Sequence, residues 1–261
     1  MRLGTFNLMH GRSVTDGVVD VNRFQSAVAG LDCDVLALQE VDRDQPRSGG
    51  ADLCVLAAEA LGVGPQGRRF AATVHGTPGV SWRPVDGAPR DGEPVYGIAL
   101  VSRLPVRDWR VVPLGLAPVR SPIAVPGPDG RPRLVLLADE PRLAIVADVV
   151  TPHGPLTIAA THLSFVPGWN AVQLRRVVRA LRRRGGPSAP AVILGDLNLP
   201  GPFPRALTGW HRLAVAATYP APAPRVQFDH VLGRGPLPRV AAVQARRTAI
   251  SDHLALLVDL A

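Results

Sequence analysis

The sequence predicts a mixed α/β fold of two β-sheets with helices on the outside. Three features lead to it. Helical and strand periods alternate early in the chain, hairpin patterns replace them later, and neither an internal repeat nor a long break in composition divides the 261 residues. At roughly 150 residues per domain this length allows one or two domains. With no linker composition along it, a single domain over residues 1–261 is expected, long enough to bury a full core.

The elements follow in order. Residues 2–8 read as a strand. Residues 21–31 read as a helix, because Phe24, Ala27, Val28 and Leu31 recur at three- and four-residue steps on one face. Residues 34–39 form a nearly continuous apolar strand, and 51–61 a second helix that Gly62 and Gly64 end. Pro and Gly crowd residues 76–93, which read as a loop. Strands follow at 95–102 and 106–112, then a second Pro-rich loop over 113–132. Residues 143–150 and 156–161 flank Thr151-Pro152-His153-Gly154-Pro155, the pattern of a hairpin. Residues 172–184 are helical, 192–197 a buried strand, and 228–232, 240–245 and 254–260 short late strands.

Composition narrows the class. Hydrophobic residues at 46% and charged residues at 19% exclude wholesale disorder. The longest apolar runs are strand-length, far short of the ~20 residues of a spanning helix. No charged leader with an apolar stretch opens the chain, so no signal peptide and a cytoplasmic location are expected. The net charge of +8 suggests a polyanionic partner. All 29 basic residues are Arg, however, beside 27 Pro and 26 Gly, which reads as the coding bias of a GC-rich genome. The charge therefore hints at phosphate-bearing substrates without establishing nucleic acid. Six Phe, four Trp and two Tyr limit base-stacking platforms. Cys33 and Cys54 form no metal motif and are expected to be small buried hydrophobes.

Oxygen and imidazole groups concentrate at strand ends in six short segments: Phe6-Asn7-Leu8, Gln39-Glu40-Val41-Asp42, Thr161-His162-Leu163, Gly195-Asp196-Leu197-Asn198, Phe228-Asp229-His230 and Ser251-Asp252-His253. A carboxylate there costs free energy unless something pairs with it, and a bound cation is the simplest partner. Asp196 and Asn198, two apart on an extended segment, are expected to share a face. Asp, Glu and Asn are hard donors suited to Mg²⁺ or Mn²⁺, and no His-x-x-x-His or Cys-x-x-Cys favours zinc.

In this order the segments resemble the endonuclease/exonuclease/phosphatase superfamily, from Thr5 to the final strand. The resemblance implies a four-layer α/β/β/α sandwich of two mixed β-sheets flanked by helices, with the site at one rim. It implies that Glu40 is the main metal carboxylate, with Asn7 and Asp252 helping to hold the ion. Asp196 matches the carboxylate that orients or deprotonates the attacking water, and Asn198 the amide that steers it. His162 and His253 match phosphate-contacting groups, and Asp229 the carboxylate that orients His253 and raises its pKa by opposite charge. Ile98 follows Gly97 where many relatives carry Asn.

Other residues carry expectations of their own. Arg47, in the loop after Glu40, is a candidate to grip a second phosphate or head group; Arg142 is a candidate phosphate ligand, and His10 a candidate for lining the pocket. Phe165 and Trp169 are candidates for its mouth. Tyr96 and Ser102 are expected to be structural, His230 to pack, and His75, His153 and His211 to lie in loops or on the surface. The Arg-rich helix over 172–184 is expected to show a solvated face on an outer layer away from the catalytic rim. The expected activity is that of a Mg²⁺- or Mn²⁺-dependent phosphoesterase, a phosphodiesterase first of all. Its substrate would be nucleic acid or a small or lipid phosphoester, with no obligate protein partner. The short, Pro-rich stretch 200–227 lacks the insert expected of a dedicated reader of DNA grooves. The rival reading is a catalytically silent module that binds phosphates on the same fold.

Overall fold

Side chains alternate along a strand, so each strand decides residue by residue what faces the other sheet and what faces a helix. The computed structural model describes every residue except Ala88, residues 127–131 and Pro187. The first sheet contains β1 (Arg2–Asn7), β2 (Val35–Arg43), β3 (Arg68–Thr77), β4 (Ser81–Pro84), β5 (Val95–Ser102), β14 (Val240–Arg246) and β15 (Ala255–Leu260). Its order is β14-β15-β1-β2-β5-β3-β4. The second contains β6 (Val106–Gly115), β9 (Arg142–Thr151), β10 (Gly154–His162), β11 (Ala191–Asp196), β12 (His211–Arg212) and β13 (Asp229–Arg234), in the order β12-β13-β11-β10-β9-β6. A separate hairpin pairs β7 (Ser121–Pro126) with β8 (Pro132–Leu137).

Three apolar layers result. Leu3, Val35, Ala37 and Leu100 of one sheet meet Ile145, Ile158, Val192 and Leu194 of the other. The opposite faces of β1 and β2, through Phe6, Leu36 and Leu38, pack on α1 (Val21–Ala29) and α2 (Leu53–Ala60). Ile193 and Leu232 pack on Leu174, Val177 and Leu181 of α3 (Trp169–Gly185), near α4 (Phe203–Thr208). This is the four-layer α/β/β/α sandwich. Two helices start where an aspartate caps them: Asp20 accepts the Arg23 N–H and Asp52 the Val55 N–H. Among the described residues, no helix is long and apolar enough to cross a membrane.

Strand register decides the site. β1 and β2 run parallel, with Asn7 opposite Gln39. β10 and β11 also run parallel, with His162 opposite Asp196, and β11 pairs antiparallel with β13, bringing Asp229 opposite Asp196. Polar residues at these ends therefore gather at one rim.

Several local expectations are corrected. The expected loop 76–93 is partly a hairpin, since β3 runs to Thr77 and β4 pairs with it. Within 113–132, β6 continues to Gly115 and β7 forms; positions 127–131 lie outside the described residues. Pro survives in these strands because they are edges or hairpin ends, where a ladder N–H is dispensable. β2 extends past Gln39 to Arg43 through an irregularity between Leu38 and Val41. β3, α4 and β12 were not anticipated: β3 opens on two arginines, and the other two are very short. His75, expected in a loop or on the surface, is buried on β3.

Gly195 lies just before Asp196, and a Cβ there would collide with the Thr161 carbonyl oxygen of β10. Gly195→Ala is expected to cost about 1–3 kcal/mol by overpacking and to displace Asp196. Thermal melts and turnover measured side by side check this; an unchanged Tm would mean that the β10–β11 spacing yields freely.

Candidate active site

The gathered strand ends open into a cavity of about 510 Å³ lined by residues of both sheets. Asn7, at the end of β1, is almost fully buried. Its side-chain N–H₂ donates to Glu40 Oε1 at 3.0 Å and to Asp196 Oδ2 at 3.1 Å. Its Oδ1 accepts the Met9 N–H at 3.1 Å, which sets the orientation of the amide. One asparagine thus ties a carboxylate of the first sheet to a carboxylate of the second.

Glu40 sits on the irregular step of β2 with φ of 57°. That left-handed backbone turns its carboxylate into the cavity. His10, Asn198 and Ser251 also adopt positive φ, so conformations uncommon for non-glycine residues cluster around the cavity. Ser251 Oγ donates to the Asn7 carbonyl at 2.6 Å and accepts the His253 N–H at 3.0 Å, which positions Asp252 and His253.

Burial, with the nearby charge of Asp252, pushes the Glu40 carboxyl up to about 7 against the Asn7 hydrogen bond. Burial and the charge of Asp229 likewise raise Asp196. Two histidines flank Asp196 Oδ2, His162 Nε2 at 3.7 Å and His253 Nε2 at 3.9 Å. Their charges differ. Burial, with the charges of Arg142 and His253, drives His162 well below its ordinary value, so it stays neutral. Burial opposes a charged His253 too, but Asp229, bonded to Nδ1 at 2.8 Å, outweighs it and raises the ring to about 10, with Asp196 and Asp252 adding to the effect.

Asn198 lines the cavity by a different route from the one expected. β11 ends at Asp196, and Asn198 turns left-handed instead of continuing extended. Its backbone N–H donates to Asp196 Oδ1 at 3.0 Å, and its side chain donates to the Leu163 carbonyl at 2.9 Å.

The remaining candidates fall on both sides. His10, Arg47, Arg142 and Phe165 line the cavity. Burial, with the charges of Arg47 and Arg12, lowers His10 to about 4, leaving it neutral. Arg47 is engaged bidentately by buried Asp42, at 2.9 and 2.7 Å, and Arg142 donates from Nε and Nη2 to the single Oδ1 of buried Asp139, at 3.2 and 2.6 Å. Their charge is therefore largely compensated before any phosphate arrives. Trp169 lies under Arg176, with the guanidinium 4.9 Å from its ring centroid. Gln39 is fully buried and accepts from Thr5, and His230 meets the Leu199 carbonyl, so both act in packing.

Tyr219, Phe228, Glu140 and Tyr96 line the cavity without having been singled out for it. Tyr219 tilts over His253, ring centroids 4.8 Å apart, and meets Phe228 at 5.7 Å. Glu140 Oε2 is buried with no hydrogen-bond partner. The motif Glu140-Pro141-Arg142 drew attention to its arginine alone, and Tyr96 reads in sequence as one more residue of an apolar strand.

The donor chemistry fits a divalent cation. Asp196, Asp229 and His253 offer ligand atoms within 4.8 Å of one another, but Asp229 and His253 are already engaged with each other. Glu40 and Asp252 face the cavity, and neither has an ion-pair partner within 4.0 Å among the described residues, although the charge of His253 reaches both. Two hard carboxylates in that state suit Mg²⁺ or Mn²⁺ better than a softer ion.

The model of the Endonuclease/Exonuclease/phosphatase family matches residues 4–253. No curated protein matches by sequence. Among solved structures, an endonuclease/exonuclease/phosphatase from Beutenbergia cavernae is 25% identical, with TM-score 0.64, covering 100% of this chain and 71% of that one. A mannosyl-6-phosphatase from Bacteroides thetaiotaomicron is 14% identical, with TM-score 0.60, covering 100% and 99%. Truncated TDP2 from Caenorhabditis elegans is 16% identical, with TM-score 0.59, covering 98% and 95%. The last two likenesses speak to the fold.

Asp229→Asn removes the charge that outweighs burial at His253. The His253 pKa is expected to fall clearly from about 10, with Asp196 and Asp252 still opposing burial, while His162 stays neutral throughout. An NMR titration of the imidazole resonances checks this; a His253 that still titrates near 10 in the variant would assign its charge to another group.

Proposed function

The chain belongs to the endonuclease/exonuclease/phosphatase family, and on that footing we propose that it hydrolyses a phosphodiester with the help of Mg²⁺ or Mn²⁺. Members of the family are phosphoester hydrolases, and the reading for this chain is carried by one observation. Asp196 Oδ2 lies between a neutral and a protonated histidine, in a cavity where Glu40 and Asp252 stand without an ion-pair partner within 4.0 Å.

A phosphodiester is already anionic, so attack by water needs charge neutralisation and in-line placement above all. The raised affinity of Asp196 for a proton suits it to receive one from that water. Protonated His253 and neutral His162 donate from Nε2 to phosphoryl oxygens, stabilising charge that grows as the bond to the leaving group lengthens. Asn7 steadies Glu40 and Asp196 in fixed relation. Glu40 and Asp252 would hold the cation, which supplies neutralisation of the phosphoryl oxygens when bound. The Asn7 oxygen is engaged by Met9, which suits Asn7 to supporting Glu40 more than to direct ligation.

Tyr219, Phe228 and Phe165 offer an apolar flank to the ester's organic group. Glu140, without a hydrogen-bond partner and paired with Arg142 only at 4.0 Å, favours a hydroxyl donor on the substrate over a second phosphate. Such a hydroxyl occurs on sugar phosphates and on nucleotides alike.

Asp196→Ala is expected to lower hydrolysis of bis(4-nitrophenyl) phosphate by about 10²–10⁴-fold with little change in Tm. Turnover within a few-fold of wild type would remove Asp196 from the chemistry, and silence of the wild type with every divalent metal would favour a binding module.

Glu40 links metal affinity to pH. Its folded pKa of about 7 means that the ion competes with a proton below that pH. The Mn²⁺ association constant at pH 5.5 is expected to be roughly thirty-fold weaker than at pH 8, measured by titration calorimetry. The sign for stability follows from the same shift. A carboxyl whose pKa is raised on folding destabilises the metal-free protein as pH rises from about 4.5 through about 7. Glu40→Gln should therefore raise the metal-free Tm at pH 8 by a few degrees while removing the stabilisation by Mn²⁺. A lower metal-free Tm, or an unchanged metal shift, would contradict the assignment.

A further inference from the structure

The outer surface of the second sheet carries a feature that catalysis does not use. α3 contains six arginines and no acidic residue. Two are engaged by the protein: Arg176 donates to the Leu114 carbonyl and stacks on Trp169, and Arg184 is bonded to Asp148 and Asp108. The other four, Arg175, Arg179, Arg182 and Arg183, are exposed and have no ion-pair partner among the described residues. They do not simply project into solvent. They line a groove of about 470 Å³ between α3 and the end of α4, over an apolar floor that includes Val178 and Leu207.

A second, independent observation points the same way. Arg234, at the end of β13, stacks its guanidinium 5.1 Å from the Trp210 ring centroid, and all three of its side-chain nitrogens are buried without a hydrogen-bond partner. Burial lowers its affinity for a proton, and the charge of Arg182, one of the groove's arginines, acts in the same sense. A buried guanidinium with no acceptor, next to four uncompensated arginines, is a surface short of negative charge.

We propose that this groove binds the phosphodiester backbone of a single-stranded nucleic acid. Arg175, Arg179 and the Arg182–Arg183 pair follow one another at about one helical turn, ~5.4 Å, a ladder of charges that a chain of regularly spaced phosphates can match. At about 470 Å³ the groove has room for a single backbone and is too small to seat the full width of a duplex. The groove itself presents arginines over a floor that includes Val178 and Leu207, so what it offers a partner is charge, the feature a phosphate backbone matches. Orientation supports a tie to the catalytic rim. The first turn of α3 touches that rim, where Asn170 Nδ2 donates to the Asn198 carbonyl at 2.8 Å. Arg175 follows about 7 Å further along the helix and Arg183 about 20 Å. The Arg175 end of the groove is thus the end nearer the cavity. The sequence alone pointed to a solvated helix face; what changes the reading is the neighbouring α4, which turns that face into one wall of a groove.

Binding is measured by fluorescence anisotropy of a labelled oligothymidylate in EDTA, where no metal-dependent cleavage interferes. The wild type is expected to bind with a salt slope of about 0.7 per phosphate contacted. Arg179→Glu/Arg183→Glu should weaken binding at least tenfold and flatten the slope, while Arg179→Lys/Arg183→Lys keeps the affinity within a few-fold. Turnover of bis(4-nitrophenyl) phosphate with Mn²⁺ should be unchanged in both variants, so failure of this proposal is separable from failure of the catalytic reading. Circular dichroism checks folding, and Arg175→Gln/Arg179→Gln serves as a milder second variant. Equal affinity of wild type and charge-reversed protein would overturn the proposal. So would a preference for duplex, or binding to anionic phosphatidylglycerol vesicles without binding to the oligonucleotide.

Discussion

The arrangement of the site depends on one buried amide. Asn7 donates from the same nitrogen to Glu40 on the first sheet and to Asp196 on the second. Asp196 is buried and Glu40 half-buried, and each is pushed toward its protonated form by its loss of water. An amide can satisfy both without adding charge. Its own oxygen is held by the Met9 N–H, so it cannot rotate to present the acceptor instead. The consequence is a cavity rich in carboxylate oxygens with a deficit of positive charge on the Glu40 side, which is the physical demand for a cation.

The other side of the cavity meets the same problem with protein groups. Asp229 holds His253 protonated, and the positive charges of His253 and Arg142 help to keep His162 neutral. Two imidazoles within 4 Å of one carboxylate oxygen would otherwise be interchangeable. Their unequal environments separate them into a charged donor and a neutral one, as pairs of titratable groups in different surroundings generally do. Tyr219 packs its tilted ring against His253, centroids 4.8 Å apart.

Much of this was legible in the sequence because polar residues at the ends of apolar strands stand out. Asn7, Glu40, His162, Asp196, Asp229 and the Asp252-His253 pair each interrupt a run of buried side chains, and register then brings them to one rim. The local geometry was harder to read. Extended spacing suggested a shared face for Asp196 and Asn198, but the left-handed Asn198 reaches the cavity through a turn that bonds back to Asp196. Glu40 depends on an irregular strand step that no periodicity announces. Tyr96, Glu140 and Tyr219 join the site through tertiary packing alone: one lies on a strand read as core, one on a Pro-flanked turn, and one in a stretch without regular structure. Partner choice was equally hidden. Arg47 and Arg142 look like free cations in sequence, and only the fold reveals Asp42 and Asp139 against them.

The most direct test of the account is where a divalent ion settles. Anomalous scattering from crystals soaked in Mn²⁺ locates it without reference to activity. The account predicts density within about 2.0–2.3 Å of carboxylate oxygens of both Glu40 and Asp252, with the Asp229–His253 hydrogen bond intact. An ion bound instead by Asp229 and His253, or no ion in the cavity at saturating Mn²⁺, would contradict it.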